Sequence, residues 1–272
     1  MEERPIAIFD SGVGGLTVIK EVIKQLPSEN LVYLGDTARV PYGPRDPETI
    51  TQFSMQMLKF LIKENPKAIL VACNTITATC LESLQAVSPV PVIGIIEPTI
   101  NYAVKLTKTN HIGVIATRAT IKSGVYEQDI HSMHFDTALT TQACPLFVPL
   151  VEENWIDHAA TKLIIEEYLQ PFKNTTVDTL ILGCTHYPIL ADAIQEVVGP
   201  KVRLINSAIP TTMAIKELLE TNGLLRKEGT PNYKFYITGA PYIAEKTART
   251  FFNHDFPGKL EKVILPTSST LT

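Results

Sequence analysis

Short, unbroken apolar runs separated by longer amphipathic stretches recur along the whole chain, and this alternation constrains its fold more than any other feature. IAIF (6–9), LVYL (31–34), AILVA (68–72), VPVIGI (90–95), IGVIA (112–116), TLILG (179–183), VRLI (202–205) and YKFYIT (233–238) are apolar at consecutive rather than alternate positions. Strands that bury both faces need that pattern, and such strands belong to parallel sheets covered by helices. LTVIKEVIKQL (16–26), TITQFSMQMLKFLIKEN (49–65), AATKLIIEEYLQPF (159–172) and AIKELLETNG (214–223) carry the helical period, the last ending on Asn-Gly, a helix stop. Strand then helix, repeated, predicts an α/β fold with parallel sheet order.

At 272 residues, 45% hydrophobic and 19% charged, the chain is a globular protein large enough for one big α/β domain or two modest ones. No Gly/Ser-rich linker divides it. ILVACNTITA (69–78) and LILGCTHYPI (180–189) echo each other, however: apolar strand, small residue, Cys, Thr, apolar helix. Their separation is about one small domain, which suggests a duplicated half. The 24 Lys and Arg against 28 Asp and Glu give a net charge of −4 and no basic face, arguing against nucleic acid or an anionic membrane as partner. No run approaches the roughly 18 apolar residues of a membrane span, and MEERPIAIF is not a signal peptide, so a cytoplasmic location is expected. Cys73, Cys80, Cys144 and Cys184 form no C-x-x-C pair and read as free thiols.

Open α/β sheets bind ligands at the carboxyl ends of their strands. Four segments here leave a strand and enter a polar turn: FDSGVGG (9–15), LGDTARVPYG (34–43), ACNTITA (72–78) and GCTHYPI (183–189). Singly, Asp10 and Asp36 are caps, Gly12, Gly14 and Gly15 turn formers, and Thr75 and Thr185 N-caps. Four together, two carrying cysteine, point to one shared site. G-V-G-G has neither phosphate-loop spacing, and a helix start of this kind equally holds a carboxylate. Cys184 and His186 lack a second close pair, and His131 and His134 lack acidic or cysteine company, so no metal is expected. No Lys stands out for a Schiff base, and no cofactor is expected.

Two thiol chemistries fit the residues. Cys184 with His186 resembles a thiol hydrolase, which leaves Cys73 idle. A two-base reading uses both: one group removes a proton from a carbon stereocentre and the other delivers one to the opposite face, with helix N-termini lowering the thiol pKa values. A catalytically silent module for an acidic amino acid or a small phosphate is a third reading. Cys80 and Cys144 lie in no such turn and read as buried apolar residues.

Taken together, IAIFDSGVGGLT, YLGDTARVPYG, VACNTITA, LGCTHYPIL and CPLFVPLVEE (144–153) resemble the signature blocks of the glutamate racemases, within the aspartate/glutamate racemase superfamily. The blocks run in family order from residue 6 to about 190. The resemblance implies two similar parallel-sheet α/β domains facing each other across the active site, related by a pseudo-twofold axis, over roughly 1–97 plus 208–272 (carrying Cys73) and 98–207 (carrying Cys184). It implies cofactor-independent interconversion of L- and D-glutamate, supplying D-glutamate for peptidoglycan, in a cytoplasmic homodimer, with aspartate as the alternative substrate. By position, Cys73 and Cys184 are the two acid/bases. Asp10 and His186 assist Cys73 and Cys184 respectively, and Glu152 helps. Ser11, Tyr42, Gly43, Asn74, Thr75 and Thr185, with Asp10 and His186, match the substrate-binding positions. Two departures stand out: Asn206-Ser207-Ala208 where relatives often read Asp-Ser-Ala, and Glu152-Glu153-Asn154 where Gly often follows the acidic pair.

Overall fold

The computed structural model describes residues 2–134, 136–252 and 255–266. Ten strands fall among them: β1 (Ile6–Asp10), β2 (Leu31–Gly35), β3 (Ala68–Val71), β4 (Val92–Gly94), β5 (His111–Ala116), β6 (Ala138–Ala143), β7 (Thr179–Gly183), β8 (Arg203–Asn206), β9 (Tyr233–Ile237) and β10 (Leu260–Lys262). The helices are α1 (Leu16–Gln25), α2 (Pro47–Ile62), α3 (Asn74–Val87), α4 (Ile96–Leu106), α5 (Arg118–Lys122), α6 (Val125–Met133), α7 (Phe147–Glu152), α8 (Ala159–Tyr168), α9 (Ala191–Val198), α10 (Ala208–Thr221) and α11 (Pro241–Phe251). Every strand pair is parallel, as the continuous apolar runs require.

The strands form two sheets, one ordered β10-β9-β2-β1-β3-β4 and the other β6-β5-β7-β8. The run β2-β1-β3-β4 and the run β6-β5-β7-β8 have the same connectivity, so the cysteine-bearing echo in the sequence marks equivalent strands, β3 and β7. Register extends the equivalence. Phe9 pairs with Val71, two residues before Cys73, and Ile115 pairs with Leu182, two residues before Cys184.

Two strands went unread. β6 (ALTTQA) is a polar edge strand with no fully buried residue, and β10 is three residues at the other sheet's edge. Neither needs the apolar run that betrays a central strand. The helix expected over 49–65 begins earlier, at Pro47, because Asp46 accepts the Thr49 N–H at 2.8 Å. It ends earlier, at Ile62, and Asn65 then takes a left-handed φ of 51°. The stretch 159–172 breaks after Tyr168 into a 3₁₀ turn, Gln170–Phe172, with Pro171 inside it.

One face of the larger sheet packs Phe9, Val71 and Leu34 against Ile50, Met57 and Ile76 of α2 and α3. The opposite face packs through α1, α4 and α10 into the second sheet without interruption. At the amino ends of β2 and β3, Glu29 and Lys67 form an ion pair with both side chains fully buried. Lys67 Nζ also donates to the Leu224 carbonyl at 2.9 Å, and Glu29 Oε1 accepts the Arg226 N–H at 2.8 Å. The late segment leading to β9 is thereby fastened to the first strands. No helix among the described residues is long and apolar enough to cross a membrane.

Candidate active site

The carboxyl ends of strands from both sheets converge on one cavity of 410 Å³. Ser11 reaches it after β1, Val40 to Pro44 after β2, Cys73 to Thr75 after β3, Thr117 and Arg118 after β5, Pro145 to Glu152 after β6, and Cys184 to His186 after β7. All four polar turns singled out in the sequence therefore contribute, and each sheet supplies one cysteine. All four cysteines of the chain are unbridged and buried.

Cys73 caps the N-terminus of α3 in extended conformation, and its thiol donates to Ser11 Oγ at 3.3 Å. The helix end does not lower its pKa as expected. Burial and the nearby Asp10 carboxylate push the thiol well up, outweighing the Ser11 contact and the Ile76 amide, so Cys73 rests as the neutral thiol. Asp10 itself does not line the cavity. It is fully buried behind the wall, accepting the Gly12 N–H at 3.0 Å and the Thr185 hydroxyl at 3.4 Å. Burial raises its pKa, opposed by the charge of His186 and by backbone donors.

Cys184 follows β7 in a turn closed by the Tyr187 N–H on its carbonyl, 3.0 Å. His186 stands beside it, with Nδ1 3.9 Å from Cys184 Sγ and Nε2 3.2 Å from Glu152 Oε1. Burial alone would lower its pKa. Hydrogen bonding and charge from Cys184 and Glu152 outweigh this and lift it to about 10. The ring is thus an imidazolium held between a carboxylate and a sulfur, and it supplies the counter-charge that a thiolate needs. Glu152 ends α7, and Asn154 takes a left-handed φ of 59° two residues later, the conformation that explains a glycine there.

The glycine turn brings the halves together. A Cβ on Gly14 would overlap Thr185 Oγ1 and the His186 ring. The Thr17 hydroxyl meanwhile donates to the Thr185 carbonyl at 3.1 Å. Across the cavity, Thr75 Oγ1 lies 2.9 Å from Thr117 Oγ1 and 3.3 Å from Thr120 Oγ1.

A profile of the Asp/Glu/hydantoin racemases matches residues 11–215. The chain belongs to that family. It is 43% identical to a glutamate racemase of Syntrophus aciditrophicus, with 97% of this chain and 98% of the relative aligned. A glutamate racemase isoform from Bacillus anthracis superposes with a TM-score of 0.94 at 38% identity, covering 98% of this chain and 99% of the other. One from Francisella tularensis, solved in complex with D-glutamate, superposes at 0.91 with 37% identity, covering 97% and 98%.

Within this racemase scaffold, the sequence missed Thr117. It is the second sheet's counterpart of Ser11 by register, two residues past Ile115 as Ser11 is two past Phe9. The signal was present, since Thr117 directly follows an expected strand at 112–116. Tyr42 is where it was expected, but its hydroxyl donates away from the cavity to Asp36 Oδ2. Asp36 also accepts from Arg39 Nε at 2.6 Å and from the Thr238 hydroxyl at 2.7 Å, which pins the Val40–Pro44 loop from behind. Asn206 lies outside the cavity and accepts the N–H of Ala208, the first residue of α10, at 3.0 Å.

Proposed function

We propose that this racemase acts on glutamate, interconverting the L and D forms by proton transfer between Cys73 and Cys184 without a cofactor. The observation that carries this reading is one cysteine from each sheet opening onto a single buried cavity. One thiolate takes the Cα proton and becomes a thiol, and the electron pair is left on Cα in conjugation with the α-carboxylate. The other thiol then gives its proton to the opposite face of Cα and becomes the thiolate. The two cysteines exchange protonation in each turnover, and the reverse reaction restores them. A carbon acid this weak needs electrostatic stabilisation of its carbanion in a dry site. Ser11, Gly43, Asn74, Thr75 and Thr185 supply donors for the carboxylates and acceptors for the ammonium, while Tyr42, its hydroxyl given to Asp36, contributes through the loop it holds. His186 stands with the substrate-binding group and assists Cys184, steadied by Glu152, while Asp10 assists Cys73 from behind the wall and takes no place against the substrate.

The units of this reading are 1–97 plus 208–272 and 98–207. It is supported by the first sheet drawing strands from 6–94 and 233–262 and the second from 111–206. Met1, Phe135, 253–254 and 267–272 lie outside the described residues. A cytoplasmic homodimer that supplies D-glutamate for peptidoglycan completes the proposal. Glutamate as the substrate is supported by relatives named glutamate racemase over nearly their whole length.

The test is incubation of the reduced protein with L-glutamate in D₂O with chelator, following the α-proton by NMR together with the optical rotation. Both signals decay if the reading holds. Turnover of aspartate alone would move the substrate assignment, and silence on both acids would leave a binding module. Cys73→Ala and Cys184→Ala should each abolish racemisation, and full activity in either would end the two-thiol mechanism.

A further inference from the structure

Asn74 opens onto the cavity and is 2% exposed, yet its Nδ2 has no hydrogen-bond partner in the protein. Its Oδ1 is taken: the Tyr126 hydroxyl donates to it at 2.9 Å. Tyr126 belongs to α6, packed with the second sheet, whereas Asn74 opens α3 on the first. The phenol is buried and does not line the cavity. Its oxygen lies 3.3 Å from where a Cβ on Gly183 would sit, so it is wedged between the Asn74 turn and the residue preceding Cys184. A buried phenol proton requires an acceptor, and the carboxamide oxygen is the acceptor it has. The other end of the amide, two N–H bonds, is left without a protein partner on a residue that lines the cavity.

We propose that Tyr126 is a positioning residue: by holding Asn74 Oδ1, it keeps the carboxamide turned with Nδ2 toward a carboxylate of the bound substrate. The inference rests on the glutamate racemase reading and assigns a task to a residue outside the cavity. Without the hydroxyl the carboxamide is free to turn over, presenting oxygen to an anion. That carboxylate is anionic in the bound state as well as during proton transfer, so the loss falls on binding and appears in KM. Enantiomers are equal in free energy, so kcat/KM falls equally in both directions.

In Tyr126→Phe, KM should rise about tenfold for both enantiomers, the scale of one hydrogen bond to a charged group, with kcat within about twofold of wild type. In an Asn74→Ala background, Tyr126→Phe should add nothing further, because it acts only through that amide. An unchanged KM, a loss confined to kcat, or additive losses would overturn the proposal. Asn74→Asp, which leaves Tyr126 and its acceptor in place, covers the case in which Tyr126→Phe fails to fold. It sets a carboxylate oxygen where Nδ2 was, so KM should exceed that of Asn74→Ala, and a wild-type KM would overturn the proposal. Wild-type protein that does not racemise glutamate refutes the racemase reading alone, and D-glutamate affinity by calorimetry then makes the same comparisons.

Discussion

His186 carries a charge that its surroundings impose, and that charge can be tested apart from turnover. Its pKa is lifted from its usual 6.5 to about 10 against the cost of burial. A folded-state pKa above the unfolded one contributes stability that is complete below about pH 6.5 and is lost as pH rises through about 10. Glu152→Gln removes one of the two partners that lift it. The melting temperature of the variant should therefore fall short of wild type most below pH 6.5, the gap closing toward pH 10. The alkaline limb of the activity profile should move to lower pH. A gap that is constant with pH would show that Glu152 does not hold the proton on His186. At this scale much of the site was legible, because Ser11, Asn74, Thr75 and Cys184 follow strand ends in polar turns. Glu152 came only from the resemblance, since nothing local distinguishes it from Glu153. Tyr126 was not legible, because a tyrosine inside an amphipathic helix carries no mark of the amide it meets from another part of the chain.

The turn after β1 shows what an element contributes. Gly14 lets the start of α1 come against the Cys184–His186 turn, where any side chain would overlap Thr185 and His186. Both contacts are with side chains engaged elsewhere, Thr185 with Asp10 and His186 with Glu152, so Gly14→Ala must break those bonds or displace one turn from the other. A displacement of about 1 Å at the reacting groups costs on the order of a hundredfold in rate. We expect Gly14→Ala to lose about that much kcat and to melt lower than wild type. Wild-type kcat in this variant would mean the two turns are not held in register by their contact. The elements themselves were read where they are buried on both faces, as β1, β3, β5 and β7 are. β6 and β10 escaped because they are edge strands without a continuous apolar run, which the edge strands β4 and β8 have.

For the whole molecule, the equal connectivity of β2-β1-β3-β4 and β6-β5-β7-β8 was foreshadowed by the two cysteine segments, while the joining of the sheets was not. The joining depends on contacts far apart in sequence, such as Gly14 and Thr17 with the Thr185–His186 turn, and the first sheet is itself closed by Glu29 with Lys67 and both with residues 224 and 226. Removing one partner of a buried pair strands the other charge without water, which typically costs about 3–5 kcal/mol. Lys67→Met should lower the unfolding free energy by about that amount in a denaturant titration, and a change below about 1 kcal/mol would show the pair to be dispensable.

That clasp also sets an order on how the chain is made. Residues 111–206 carry every strand of the second sheet and leave the ribosome as one continuous stretch, so that half can close on itself while synthesis continues. The first sheet has its four earliest strands in hand before then, yet Glu29 and Lys67 meet their remaining partners only when residues 224 and 226 emerge, and β9 and β10 come later still. The half made first is therefore the half completed last, and a nascent chain that has emerged from the ribosome only as far as residue 210 would hold a finished second sheet beside an unfinished first.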